Sequence, residues 1–363
     1  MTTIVLSAGG TGGHLFPAQA LAGELMARGH AIVVMTDARF KQYETAFPGA
    51  RIETVPSAAF SDRSFFGLIS APFEIAAGIV LSLVKLSRIR PRAVVGFGGY
   101  PSLPVMIAAC LARWPTAILS PDALLGRANR IVANNVERIA ANLPLVRFLP
   151  KDMSKVVYTG NPMRPEVLAL ADIAYNAPET NGPFHLLVFG GSQGARVFSD
   201  IVPAAIEKLP QGLRVQLSIV QQCRPEDIER VRALYARLGV KAELASFFAD
   251  MPARMAAAQL VIARSGAGTV SELAVIGRPA ILVPLPHALD DNQTPNADAF
   301  AAVGAGWRVQ QNEFTPVSLA AMLAEILAAP AALCARAAAA RKLSRPDATA
   351  RFADVVENLG RVA

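Results

Sequence analysis

One local grammar occurs twice in this chain. The apolar run "TIVLSAGG" ends in glycines and leads into a helical pattern from Pro17 to Arg28, stopped by Gly29, after which "AIVVMTD" reads as the next strand. The same order restarts at "HLLVFGGSQGA", with a helix from about Arg196 to Leu209 and then the strand "RVQLSIVQQ". A strand, a glycine turn, a helix and a second strand make a βαβ unit, and parallel sheets built this way are covered by helices on both faces. Two such starts in 363 residues predict two successive doubly wound α/β domains rather than one enlarged core. Gly160, Asn161, Pro162 and Pro165 break regular structure, so the linker is expected near 161–165. The expected division is an N-terminal domain over 1–162 and a C-terminal domain over 163–344. Residues 345–363, with an amphipathic helix from Asp347 to Leu359 after Pro346, are expected to pack back onto the first domain.

Composition excludes several classes. Hydrophobic residues at 53% against 17% charged rule out intrinsic disorder. Cys110, Cys223 and Cys334 are odd in number and far apart, which argues against a disulfide framework or a zinc site and fits a reducing compartment. No basic start and apolar run of signal length opens the sequence, so secretion is not expected. The apolar stretch Ser64–Val84 carries Glu74 and the breaker Pro72, which argues against a spanning helix.

The formal charge of +7 is unevenly placed: 16 basic and 9 acidic residues precede Arg164, and 19 of each follow from there on. Between Arg63 and Arg92, Arg63, Lys85, Arg88, Arg90 and Arg92 stand against Glu74 alone, among Phe65, Phe66, Leu68, Ile69, Phe73, Ile75, Ile79, Leu83 and Leu86. Apolar side chains beside basic ones suit a helix lying on an anionic membrane surface, although a core helix with a basic C-terminal end reads the same way. No aromatic-interleaved basic groove points to nucleic acid.

Three glycine loops, "GGTGGH", "GFGGYPS" and "GGSQGA", sit where backbone amides at strand ends can receive negative charge. The dinucleotide fingerprint fails, because Gly10 and Gly12 are followed by Leu15 where a third glycine belongs, and no loop carries the Gly-Lys-Ser/Thr ending of a nucleotide triphosphatase. Further on, "ARSGAGTVSE" places Ser265, Gly266, Thr269 and Ser271 at a helix start, with Glu272 able to accept from ribose hydroxyls. A capped helix with a solvated Glu272 fits equally. Asn292, Gln293 and Asn296 of "DDNQTPNA" are candidate sugar contacts.

Taken in order, "GGTGGHLFPA", "GFGGYPS", "GRANR", "TGNPMR", "GGSQGA", "RSGAGTVSE" and "NQTPNA" resemble the bacterial MurG family over essentially the whole chain. These are the peptidoglycan N-acetylglucosaminyltransferases that complete the lipid-linked disaccharide precursor. The resemblance implies a GT-B fold of two Rossmann-like domains facing a cleft. It also implies an acceptor- and membrane-facing first domain and a second domain that binds UDP-N-acetylglucosamine. Carried over, Thr11, Gly12 and Gly13 would lie against the donor's sugar and diphosphate, with Arg164 and Ser192 meeting the diphosphate. Phe248 would offer backbone to uracil, Ala267, Gly268, Thr269, Val270 and Ser271 would line the nucleotide, Glu272 would hold the ribose, and Gln293 the sugar.

Two departures stand out. Where the family reads His-Glu-Gln-Asn, this chain has Leu119, Ser120, Pro121 and Asp122, so a donor-sugar asparagine becomes an aspartate that accepts but does not donate when ionised. The family's histidine at a strand end is replaced by glutamine in "QQ", Gln221 and Gln222, a change expected to matter less.

The implied reaction is a single inverting displacement at the anomeric carbon, with His14 the candidate base because imidazole titrates near neutrality. His14 as a mere diphosphate contact is an equal alternative, while His30 and His185 read as structural or exposed. No Asp-x-Asp cluster suggests a metal, and no cofactor is expected. The acceptor would be the lipid-linked muramyl-pentapeptide at the cytoplasmic face of the inner membrane. Two other classes remain open, a UDP-N-acetylglucosamine epimerase and a non-catalytic sugar-nucleotide binder.

Overall fold

The computed structural model describes residues 2–9, 12–37, 47–57, 65–179, 182–191, 194–286 and 288–360; side chains of 65–72 and 289 are not part of that description. The chain divides into two compact units, one of Met1–Arg164 with Arg345–Ala363, the other of Pro165–Ser344.

The first unit holds a parallel sheet of β1 (Thr3–Ser7), β2 (Ala31–Thr36), β3 (Arg51–Thr54), β4 (Ala93–Gly96), β5 (Thr116–Ser120), β6 (Arg138–Ala141) and β7 (Val156–Tyr158). Their order is β3-β2-β1-β4-β5-β6-β7. β1 therefore pairs with β2 on one side and β4 on the other, with Ile4 opposite both Ile32 and Ala93. Successive side chains of a strand point to opposite faces, and the two apolar layers follow that alternation. Ile4, Leu6, Val34, Val95 and Phe97 pack with the helix Gly12–Ala27 and with Phe352, Ala353 and Val356 of the helix Ala348–Glu357. Val5, Val33, Met35 and Ile118 pack on the other side with Leu86, Leu103 and Met106 of the helices Phe65–Ile89 and Leu103–Leu111.

The chain returns to this unit through its last helix. Phe352 is fully buried and meets Phe97 edge-to-face at 6.0 Å, a burial that contributes roughly 1.5–3 kcal/mol. Arg28 adds ion pairs to Glu357 at 2.7 Å and Asp354 at 2.6 Å, and His30 bridges Thr2 and Glu357 at 2.8 Å each.

The second unit repeats the plan with β8 (Phe184–Phe189), β9 (Leu217–Gln222), β10 (Lys241–Ala245), β11 (Leu260–Ala263), β12 (Ala280–Leu282) and β13 (Gly306–Arg308), in the parallel order β10-β9-β8-β11-β12-β13. Its largest apolar cluster joins Phe184, Leu186 and Val188 to Phe198, Val202 and Ile206 of the helix Arg196–Lys208 and to Leu319 and Leu323 of the helix Pro316–Ala328.

Two boundaries differ from the sequence reading. The first helix starts at Gly12 rather than Pro17, so Pro17 lies inside it. There the Gly13 carbonyl loses its usual i+4 donor, because proline has no N–H. "RVQLSIVQQ" becomes strand only from Leu217, since 211–214 first make one helical turn. No single helix among the described residues is long and apolar enough to cross a membrane.

Candidate active site

Both sheets reverse strand order beside their first strand: β1 lies between β2 and β4, and β8 between β9 and β11. In open α/β sheets ligands bind beyond the carboxyl ends of the strands at such a switch point. The glycine loops and the helix start at Ala267 sit at these two points, because each follows directly on β1, β4, β8 or β11.

In the first unit, His14 lies in the opening turn of the helix after β1 and packs against the loop after β4. Gly98 and Gly99 have φ of 88° and 77°, and a Cβ on Gly98 would stand 3.2 Å from His14 Cε1. Glycine is required here on both counts, since side chains disfavour positive φ and the imidazole occupies the space. Burial pushes the His14 pKa down, and this outweighs the opposing Asp122 charge and the Phe97 carbonyl. The imidazole is thus held neutral. Its Nδ1 is buried with no hydrogen-bond partner among the described residues.

The segment Leu119–Asp122 reaches this site through Asp122. Leu119 and Ser120 end β5, and Asn129 of "GRANR" donates to the Leu119 carbonyl at 2.8 Å. Asp122 is half-buried and close enough to His14 to act on its charge. Its carboxylate favours a protonated imidazole, against the effect of burial. Arg164 stacks over the Phe16 ring at 4.4 Å, two residues from His14, so "GNPMR" meets the helix Gly12–Ala27 within this unit. Gly12 and Gly13 open the helix, while Thr11 lies outside the described residues.

In the second unit, β8 runs into Gly190 and Gly191; Ser192 lies outside the described residues. β11 leads through Arg264, Ser265 and Gly266 into the helix Ala267–Ile276, so the amides of Ala267, Gly268 and Thr269 are the unpaired donors of its first turn. Val270 and Ser271 are buried, and Glu272 is half-buried in the second turn. Gln293 accepts from Leu285 N at 3.0 Å through Oε1, and its backbone carbonyl accepts from Ser265 Oγ at 2.9 Å. Phe248 is buried, with Arg254 over its ring at 4.2 Å, which holds the backbone of the loop after β10.

Asn296 has a different role from the sugar contact read from the sequence. It is fully buried and donates to the Ser265 carbonyl at 3.1 Å, so it braces the helix start from behind. Arg264 is a residue that the sequence reading passes over. Its guanidinium reaches the carbonyls of Val283 and Pro284 at 3.1 and 2.9 Å and Gln311 at 2.6 Å, and burial brings its pKa down to about 10. A lone arginine beside "SGAG" is the only signal the sequence offers for it. Among the described residues no group of three or more His, Cys, Asp or Glu side chains is disposed to hold a metal ion.

A seven-stranded Rossmann-type sheet of order 3-2-1-4-5-6-7 and a six-stranded one of order 3-2-1-4-5-6, each with glycine turns and a helix start at its switch point, make the fold of the GT-B class. Residues 4–141 match the glycosyltransferase family 28 N-terminal domain and residues 185–359 its C-terminal domain. A protein of Nitrobacter hamburgensis is 49% identical over 100% of this chain and 99% of its own length, and one of Bradyrhizobium diazoefficiens is 50% identical over 97% of both. Both are named UDP-N-acetylglucosamine--N-acetylmuramyl-(pentapeptide) pyrophosphoryl-undecaprenol N-acetylglucosamine transferase. The crystal structure of Acinetobacter baumannii MurG is 28% identical, with a TM-score of 0.82 over 99% of this chain and 100% of that one. A UDP-GlcNAc 2-epimerase from Neisseria meningitidis, at 13% identity and a TM-score of 0.68, shares the fold alone. The chain belongs to glycosyltransferase family 28 and, within it, to the MurG family.

Proposed function

We propose that this glycosyltransferase transfers N-acetylglucosamine from UDP-N-acetylglucosamine to undecaprenyl-pyrophosphoryl-N-acetylmuramyl-pentapeptide, with inversion. The observation that carries this reading is identity near one half, along the whole chain, to proteins bearing that name. The acceptor hydroxyl attacks the anomeric carbon, the new oxygen–carbon bond forms as the bond to the diphosphate oxygen breaks, and UDP leaves with the electron pair. His14, held neutral by burial, takes the hydroxyl proton. The leaving diphosphate is met by the amides at Gly190–Gly191 and Ala267–Thr269, with Ser192 and Arg164, while Glu272 accepts from the ribose hydroxyls. Thr11, Gly12 and Gly13 lie against the sugar, Asp122 and Gln293 contact it, and the Phe248 backbone meets uracil.

A membrane-borne acceptor requires a surface that docks on lipid, and we assign it to the first unit at the cytoplasmic face of the inner membrane. Phe73, Val80, Leu81 and Val84 of the helix Phe65–Ile89 are exposed, near the exposed Arg88 and Arg90. Two members of the basic run are spent inside the unit: Lys85 pairs with Glu53, and Arg92 donates to the Glu357 carbonyl at 2.8 Å. Arg63 lies outside the described residues.

Incubation with UDP-N-acetylglucosamine, with and without the lipid-linked acceptor, tests the reading. Disaccharide product that forms only with the acceptor is expected. Conversion of the donor without it would make the protein an epimerase, and binding without conversion in either case a sugar-nucleotide binder.

A further inference from the structure

The "QQ" at the end of β9 has no place in the chemistry above, yet Gln222 sits between two of its loops. Its side chain is buried, at 4% exposure. Its Oε1 accepts from the backbone N–H of Gly190 at 3.1 Å, and its Nε2 donates to the Ser246 carbonyl at 3.2 Å. Gly190 is the first residue after β8 and opens the loop assigned to the diphosphate. Ser246 is the first residue after β10 and precedes Phe247 and Phe248, the loop assigned to the base. One carboxamide thus ties together the carboxyl ends of three neighbouring strands, β8, β9 and β10.

Bridging the two backbone groups takes one acceptor and one donor on a single side chain. A carboxamide presents an acceptor and a donor side by side without charge, whereas a carboxylate only accepts and a hydroxyl is too short to span both loops. The loop end it holds is also tight: a Cβ on Gly190 would lie 2.3 Å from Ala195 N, so the turn folds directly back on its own start. A shift of Gly190 therefore carries Ala195 with it.

We propose that Gln222 is a positioning residue that sets the distance between the diphosphate loop and the base loop, and so selects a ligand with both parts, a nucleoside diphosphate, over either part alone. This rests on the nucleotide-sugar reading above. It does not touch the ligand; it acts through two backbone groups. Losing it releases the spacing while leaving each loop's own contacts in place. The cost then falls on ligands that must satisfy both loops at once.

The test compares inhibition constants for UDP, uridine and inorganic pyrophosphate, together with donor KM and kcat, in the full-length wild type, Gln222→Met and Gln222→Glu. The methionine variant removes both hydrogen bonds at similar volume. The glutamate variant keeps the acceptor and sets a carboxylate against the Ser246 carbonyl, and it carries the test if the first does not fold. Expected are a donor KM and a UDP inhibition constant raised about tenfold, with kcat within about threefold and uridine and pyrophosphate each changed less than about twofold.

Tyr235→Phe is the structural control. It removes the neighbouring buried bond from Tyr235 to Gln221 Oε1 at 2.6 Å, and should lower the melting temperature without raising KM. UDP inhibition unchanged in both Gln222 variants, or weakened no more than that of uridine and pyrophosphate, would overturn the inference. Wild-type protein that does not bind UDP at all would instead remove the nucleotide reading beneath it.

Discussion

Gly98→Ala puts a number on how closely the loop after β4 seats the His14 ring. Gly98 has φ of 88°, a region where a side chain costs about 1–2 kcal/mol. At about 2–4 °C per kcal/mol for a unit of this size, the melting temperature should fall by about 2–8 °C. The added methyl also stands 3.2 Å from Cε1 and 3.4 Å from Nδ1 of His14, tighter than an ordinary contact, so the imidazole must move by a few tenths of an ångström. A displacement of about 1 Å at a reacting group costs about a hundredfold, so kcat should fall about tenfold. Gly29→Ala separates the two effects. Gly29 has φ of 87° and nothing within 4 Å of where its methyl would lie, so it bears the same backbone cost with no contact on His14. Steady-state kinetics and thermal melts of both variants should show matched losses of stability but a fall in kcat for Gly98→Ala alone. Equal kcat in the two variants would refute the claim that Gly98 seats a catalytic ring.

His14→Gln should lower kcat by about a hundredfold or more at saturating donor, and the acid limb of the wild-type kcat/KM profile, which reports the free enzyme, should lie below the ordinary imidazole value of 6.5 because burial lowers the folded-state pKa. The same shift means the unfolded chain binds this proton first, so stability falls as pH drops below 6.5, and His14→Gln should flatten that slope in melts at stepped pH. Glu272→Ala should raise the donor KM with kcat largely kept; a fall in kcat alone would argue against a ribose contact. Glu357 is held below the usual carboxylate range, first by His30 and then by Arg28, so its contribution is present above pH 4.5 and is lost as pH falls through the lowered value. Glu357→Gln should therefore cost about 1 kcal/mol at neutral pH, with the difference from wild type shrinking in acid. Replacing Arg88 and Arg90 together by glutamine should weaken sedimentation with anionic vesicles about tenfold or more, at about 1 kcal/mol per cation near a charged surface, and leave binding to neutral vesicles unchanged.

Much of the framework was legible because it is local. Apolar runs broken by glycine mark parallel strands whatever lies around them, so β1, β2, β8 and the helix Arg196–Lys208 could be placed directly from "TIVLSAGG", "AIVVMTD" and "HLLVFGGSQGA". Glycine turns with the backbone amides to receive a phosphate are legible for the same reason, since that chemistry needs glycine at fixed spacing rather than a side chain. Side chains that act across the sheet were not legible. Nothing in "NQTPNA" distinguishes Gln293, whose Oε1 accepts from Leu285 N, from Asn296, which is fully buried and donates to the Ser265 carbonyl. Nothing in "SRIRPR" tells that Arg92 holds the last helix through the Glu357 carbonyl while Arg88 stays exposed.

The sequence by itself determined the two α/β units, the positions of the glycine turns and the family, because these depend on short-range pattern and on motifs kept in order along the chain. Tertiary structure decided which polar groups are free to act. Whether an imidazole is neutral, an amide is spent on backbone or a glutamine joins two loops depends on burial and on partners brought from distant segments. His14 is buried by segments distant in sequence, among them the loop after β4, and its pKa falls there although Asp122 opposes the fall; Gln222 acquires its role from the residues that follow β8 and β10, none of which is its neighbour in sequence.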